Sequence, residues 1–259
     1  MTMIDIARNS LRRRFPHLCA PALALLLGGI SSLPAEAGLI VIDDFTTTQQ
    51  VVATASSPMA SSSTTAPEAL GGERDMFVNL TGGFTSLTLN SNPFGGELLI
   101  HDSGATVTGY SLTVWDGIDM NGGVINYTGL GGFDLTDTGE NNRFLLSFLS
   151  ADLAGTIGLT VYDASDATGN TWSRHNLSLP GAIFTPTDVD ILFSSFTDIG
   201  PNGPADFSNV GAISMMIQNE SSGSLDLLMS SVAVVPEPTS LATLLFGGLL
   251  CVGKLRRQR

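Results

Sequence analysis

In GTIGLTVYD, Gly155 to Asp163, the residues Ile157, Leu159 and Val161 fall on one side of an extended chain, and Thr156, Thr160 and Tyr162 fall on the other. RFLLSFLS behaves the same way, with Phe144, Leu146 and Phe148 aligned. A period of two is the signature of a half-buried strand, because successive side chains point to opposite faces. Most apolar runs between Leu39 and Val234 share this habit, and Gly, Asn, Asp and Ser separate them. They include LIVIDDF, FTSLTLN, ELLIHD, ATVTGYSLTVWD, GGVINYTG, TWSRHNLSLP, TDVDILFSSF and GSLDLLMSSVAVV. Helical periodicity is nearly missing. About ten short strands with turn residues between them predict an all-β sandwich or barrel. No fixed period repeats, which argues against a propeller or a solenoid. Within this frame, residues 46–70 are rich in Ser, Thr and Ala and offer little to pack, so a mobile loop is expected there.

Both termini differ from this middle. Arg8, Arg12, Arg13 and Arg14 precede the apolar run LCAPALALLLGGI, and SSLPAEA follows, with Ala35 and Ala37 flanking Glu36. Basic, apolar and small-residue segments in that order describe a cleavable export signal over residues 1–37, cut by signal peptidase after Ala37. At the other end, residues 239–253 form a short uncharged apolar stretch, followed by Lys254, Arg256, Arg257 and Arg259. The stretch is shorter than the ~20 residues a spanning helix usually needs, and it suits a short transmembrane helix. Positive charge beside such a helix stays cytoplasmic, which places residues 38–234 outside. Pro236, Glu237 and Pro238 sit at the junction, where two prolines enforce extended backbone before the helix.

VPEPTS, a short apolar helix and a basic end together resemble the PEP-CTERM sorting signal of exported bacterial proteins. The resemblance covers residues 235–259. It implies recognition by exosortase, a membrane-embedded transpeptidase-like enzyme that removes the tail. It also implies an inner-membrane intermediate, held by the tail before processing, and then a place at the cell surface or in an exopolysaccharide matrix.

The charge balance follows from this division. The whole chain carries a formal net charge of −13, and of its eleven basic residues only Arg74, Arg143 and Arg174 lie between the two terminal segments. Of its 24 acidic residues, all but Asp5, Glu36 and Glu237 lie there. So acidic a domain repels nucleic acid and anionic lipid and remains soluble. Its cysteines, Cys19 and Cys251, fall in the terminal segments, so an exported middle holds no disulfide and relies on packing or on a metal.

The middle resembles jelly-roll modules of the galactose-binding and carbohydrate-binding type. The residues that carry the likeness are DDF (Asp43 to Phe45), GGERD (Gly71 to Asp75), and FSNVGAISMMIQN (Phe207 to Asn219) before SLDLLMSSVAV. The resemblance implies a two-sheet sandwich whose loops or face hold sugar. It also implies a structural calcium tying the first strand to the last, for which Asp43 or Asp44 with Asp226 are the candidates. No cofactor is otherwise required.

Little catalytic machinery stands out. G-x-S-x-G is missing, and His101 and His175 each sit on a strand face beside leucines, as buried hydrogen-bonded histidines do. Asp116 with Asp119, Asp134 with Asp137 and Glu140, and Asp163 with Asp166 lie in Gly/Asn-rich turns, where Asp caps its own backbone. DGIDMNGG (Asp116, Asp119, Asn121) and DASDATGN (Asp163, Asp166, Asn170) also offer oxygens to a hard cation. For sugar stacking the aromatic candidates are Trp115, Trp172, Tyr110, Tyr127 and Tyr162. Trp172 and Arg174 share a strand face and make a platform with a hydrogen-bonding fork.

The sequence therefore reads as an exported, non-enzymatic surface or matrix protein with a jelly-roll sandwich over residues 38–234. The alternative is an extracellular carbohydrate-binding module. A glycan hydrolase or lyase ranks third, for want of a catalytic set. Its partners are signal peptidase, exosortase and exopolysaccharide or another glycan, with no nucleic acid.

Overall fold

The computed structural model describes residues 38–219 and 224–236. Ala35, Ala37, Glu237, Pro238 and residues 239–253 lie outside these, and so do the expected signal and apolar helix. Among the described residues no helix is long and apolar enough to cross a membrane.

Among the described residues fourteen strands build two sheets, and every pairing is antiparallel. The first sheet has the order β11 (Thr187–Leu192), β8 (Asn141–Ala151), β14 (Asp226–Pro236), β6 (Leu99–Ser103), β5 (Ser86–Ser91), β2 (Gln49–Thr54). Strand β1 (Ile40–Asp43) also pairs with β14, Ile40 opposite Val234, while β6 pairs with the other end of β14, Asp102 opposite Asp226. The second sheet has the order β12 (Asp198–Ile199), β10 (Trp172–Leu179), β9 (Gly155–Asp163), β13 (Val210–Asn219), β7 (Thr108–Trp115), β4 (Glu73–Gly82), β3 (Met59–Thr65).

The alternation seen in the sequence fixes which side of each strand is dry. Phe144, Leu146 and Phe148 of β8 and Leu227 and Met229 of β14 are buried, as are Ile157, Leu159 and Val161 of β9 and Ile213, Met215 and Ile217 of β13. These rows form one continuous core between the sheets. Burial of this kind stabilises by roughly 25 cal/mol per Å² of apolar surface, so the sandwich holds without a disulfide.

A polar knot is set into this core. Arg74 of β4 is fully buried and pairs with Asp43 of β1 at 3.0 Å. Its Nε donates to Gln49 Oε1 at 3.0 Å, and Nη2 donates to the carbonyl of Thr47 at 2.6 Å. Asp43 also accepts from the indole nitrogen of Trp115 at 2.8 Å. Trp115 is completely buried and is not a sugar platform. His101 is buried as expected, with Nδ1 2.7 Å from the hydroxyl of Ser111.

Two expectations fail. Residues 46–70 are not a loop throughout, since they supply β2 and β3. In β2, Gln49, Val51 and Ala53 alternate into the interior. In β3, MASSSTT needs only one neighbour, because it is an edge strand laid along β4 from Met59–Asn79 to Thr65–Glu73. Hydroxyl-bearing residues suit that half-wet position. GGVINYTG, Gly122 to Gly129, is not a strand but a turn-rich segment. The crossing of Gly117 and Gly129 pins it. Gly117 has φ +82°, and a Cβ there would lie 2.4 Å from the carbonyl oxygen of Gly129.

Candidate functional site

Cross-strand register brings the outward side chains of the second sheet into rows. One row runs Asp75, Val114, Ser214, Thr160, Arg174 across β4, β7, β13, β9 and β10. The next runs Phe77, Leu112, Met216, Gly158, Asn176. Two adjoining clefts lie on this face, of about 340 Å³ and 210 Å³. They share Tyr110, Leu112 and Ile125. Gly158 keeps the floor low, because no side chain stands between Met216 and Asn176 there.

The walls are aromatic. Tyr127, from the segment after β7, meets Tyr162 of β9 with ring centroids 4.9 Å apart. Burial raises the Tyr162 phenol above its ordinary pKa, so it stays a neutral donor. Trp172 stands opposite Tyr162 in register, and the Arg174 guanidinium lies 4.7 Å from the Trp172 ring centroid. Arg174 Nε donates to Thr160 Oγ1 at 2.9 Å. Among the described residues Arg174 has no carboxylate partner, whereas Arg74 pairs with Asp43 and Arg143 with Asp190. The two residues singled out on the TWSRHN face thus form a stacked pair, and Arg174 lines the cleft. Tyr110, Tyr127 and Tyr162 join it.

The far end of the cleft is acidic. Asp75 lines it, and Glu73, Asp75 and Asp119 each place a carboxylate oxygen within 4.8 Å of the others. Burial pushes Asp75 up to about 6, reinforced by the Glu73 and Asp119 charges. Asp116 is pushed up to about 7, again mainly by burial and then by Asp75, Asp119 and Glu73. Asp116 and Asp119 were visible as a turn pair, but their meeting with Glu73 and Asp75 was missed. The signal available was the i, i+2 spacing of Glu73 and Asp75, which puts both on one face of β4.

Three of the expected turn acids cap their own turns, whereas Asp137 instead accepts from the distant backbone nitrogen of Gly38. Asp134 accepts from the backbone of Thr136, Asp163 from Ser165 and Asp166 from Thr168. His175 Nδ1 lies 3.0 Å from the carbonyl oxygen of Ser195, so it is a structural histidine.

The implied calcium between Asp44 and Asp226 does not fit. Asp43 pairs with Val232, and Asp226 lies six residues further back along β14, about 20 Å away at strand rise. Asp226 instead faces Asp102 on β6. Burial and the Asp102 and Asp152 charges push it up to about 6. Asp43, Asp44 and Glu68 do converge within 4.8 Å, but Arg74 already supplies the positive charge there.

No protein-family model and no curated protein matches the chain. Among solved structures, a family 11 carbohydrate-binding module from Clostridium thermocellum, in complex with a β-1,3-1,4-mixed-linked tetrasaccharide, aligns at a TM-score of 0.40 and 13% identity. The alignment covers 78% of this chain and 98% of that one. A family 30 carbohydrate-binding module of a Clostridium thermocellum cellulosomal cellulase aligns at 0.38 and 10%, covering 79% and 96%. An exo-β-agarase aligns at 0.39 and 10%, covering 77% of this chain but 26% of its own.

Proposed function

We propose that the sandwich is a non-catalytic glycan-binding module and that the outward face of its second sheet is the binding surface. The observation that carries this reading is the cleft across β4, β7, β13, β9 and β10, with tyrosine walls and the Arg174–Trp172 pair at one end. Sugar rings present apolar C–H faces ringed by hydroxyls. An open cleft with apolar floor residues Leu112 and Met216, aromatic edges and the polar groups of Thr160, Ser214 and Arg174 complements both features. The acidic surface steers the module away from nucleic acid and leaves neutral glycan as the matching partner. A glycan array probed with the full chain tests the proposal. Binding that is lost on Tyr110→Ala and Trp172→Ala supports it, and an array without hits overturns it.

The terminal segments favour a complementary reading for delivery. β14 ends at Pro236, the first residue of the Pro-Glu-Pro triplet, so a sorting tail would leave the sandwich directly from a paired strand. In this reading signal peptidase cuts after Ala37, exosortase acts near Pro236-Glu237-Pro238, and the module reaches the cell surface or an extracellular matrix. Retention of the intact tail on surface-recovered protein would overturn it.

A further inference from the structure

The acidic end of the cleft holds a group that packing leaves unexplained. Asp75 is 3% exposed, and neither of its carboxylate oxygens has a hydrogen bond of normal geometry. Ser63, its register partner on β3, eases the charge, yet the Ser63 hydroxyl is itself buried without a hydrogen bond of normal geometry. A buried carboxylate with no neighbour better than one serine hydroxyl is costly unless it is protonated or something positive sits beside it. Among the described residues no Arg, Lys or His pairs with it. What surrounds it is more negative charge, from Glu73, Asp119 and Asp116.

The arrangement is also held open in the right size. Glu73 is fixed because its Oε1 accepts from the backbone nitrogens of Asp119 and Met120 at 3.0 and 2.9 Å. Asp119 is fixed in turn by accepting from the nitrogen of Asn121 at 2.8 Å. Asp116 accepts from the nitrogen of Asn126 at 2.6 Å, which closes the same segment from behind. One oxygen from each of Glu73, Asp75 and Asp119 lies within 4.8 Å of the others. Calcium binds oxygens at about 2.3–2.6 Å, so ligands on opposite sides of one ion stand about 5 Å apart. Magnesium, at about 2.0–2.1 Å, demands a tighter set.

We propose that Glu73, Asp75 and Asp119 bind one divalent cation of calcium's size at the end of the cleft. The ion neutralises the buried Asp75 carboxylate and staples the segment after β7 to β4. That segment carries Ile125 and Tyr127, so the ion fixes one wall of the cleft. This site is separate from the Asp43, Asp44, Glu68 group, which contains a guanidinium already.

The test uses the full chain, dialysed against chelator and then titrated with calcium chloride in a calorimeter, alongside thermal melts with calcium and with chelator. Saturable one-to-one binding and a higher Tm with calcium are expected. Asp75→Asn and Asp119→Asn should each weaken binding at least tenfold, while Asp44→Asn leaves it unchanged. Asp75→Asn should also raise the Tm in chelator, because it removes the unpaired charge. Should that variant fail to fold, Asp119→Asn, whose side chain is the more open, decides the matter. Coincident melts and no binding heat in the parent chain overturn the proposal. So does binding that survives Asp119→Asn, or that disappears in Asp44→Asn. These outcomes are read with calcium alone, so they are independent of any glycan result.

Discussion

Arg74 directs one terminal guanidinium nitrogen at both oxygens of Asp43, each 3.0 Å away, and neither side chain reaches solvent. A buried pair of this kind adds little over an apolar pair, but removing one partner strands the other charge. Arg74→Met is therefore expected to destabilise the sandwich by about 3–5 kcal/mol. The loss should appear as a lower urea midpoint with an unchanged slope. Asp43→Asn should act in the same direction and should also free the indole of Trp115. A midpoint that does not move in either variant would show that the knot is dispensable.

Gly158 offers a separate handle on the cleft. A Cβ there would lie 3.1 Å from Asn176 Oδ1 and 3.5 Å from Met216 Cε, both ends of movable side chains. Gly158→Ala should therefore fold and melt close to the parent, while raising the cleft floor. Affinity for any glycan found on an array should fall at least tenfold. Unchanged affinity would move the binding surface elsewhere.

Trp172→Ala removes the ring under Arg174, a contact worth about 0.5–2 kcal/mol. Glycan affinity should fall about tenfold, since 1.4 kcal/mol is a factor of ten. Trp172→Phe should recover part of the loss, because a ring still lies beneath the guanidinium. Equal losses in both variants would count against a stacking role.

The pH dependence of stability follows from groups with displaced titrations. Asp75, Asp116 and Asp226 are raised from 3.8 to about 6, 7 and 6. The folded state therefore holds protons that the unfolded state has released, and stability falls as pH rises through 4 to 7. His101, lowered from 6.5 to about 4 by burial, acts oppositely: its contribution is lost as pH falls below 6.5. Three groups outweigh one. The carboxyls held low, such as Asp134 and Asp163, matter only below about pH 4. In chelator, the Tm should thus be higher at pH 5.5 than at pH 7.5. The opposite order would mean that the acids are compensated in some other way.

The termini can be read by intact mass and terminal peptide mapping of protein recovered from cell surface and medium. A chain from Gly38 to near Val235 is expected. A chain that keeps Leu241 to Arg259 would leave the tail as a permanent anchor.

What the sequence disclosed depended on how far apart the interacting residues lie. The core faces of β8 and β9 were plain because Phe144, Leu146 and Phe148, or Ile157, Leu159 and Val161, announce themselves two residues apart. The Trp172–Arg174 pair was legible for the same reason. Residues 46–70 were not, because an edge strand such as Met59–Thr65 gains its place from backbone bonds to β4 rather than from apolar side chains. GGVINYTG misled in the other direction, since the crossing of Gly117 with Gly129 folds it back on itself. The meeting of Asp75 with Asp116 and Asp119, and the burial of Arg74 on Asp43, are set by strand order. No local pattern encodes which strands become neighbours.

Strand order has one more consequence. β14 comes last among the described strands, yet it lies inside the first sheet, with β8 on one side and β6 and β1 on the other. Until Asp226–Pro236 has been made, β1 has no native partner in the growing chain, and β8 and β6 are each paired on one side only, with β11 and β5. Until then the edges that β14 will cover are open templates for other chains. Such late, long-range closure makes folding slow, and it makes premature termination costly. A nascent chain therefore needs shielding until its final strand arrives, and a fragment that stops short of Asp226 should be found in aggregates rather than in solution.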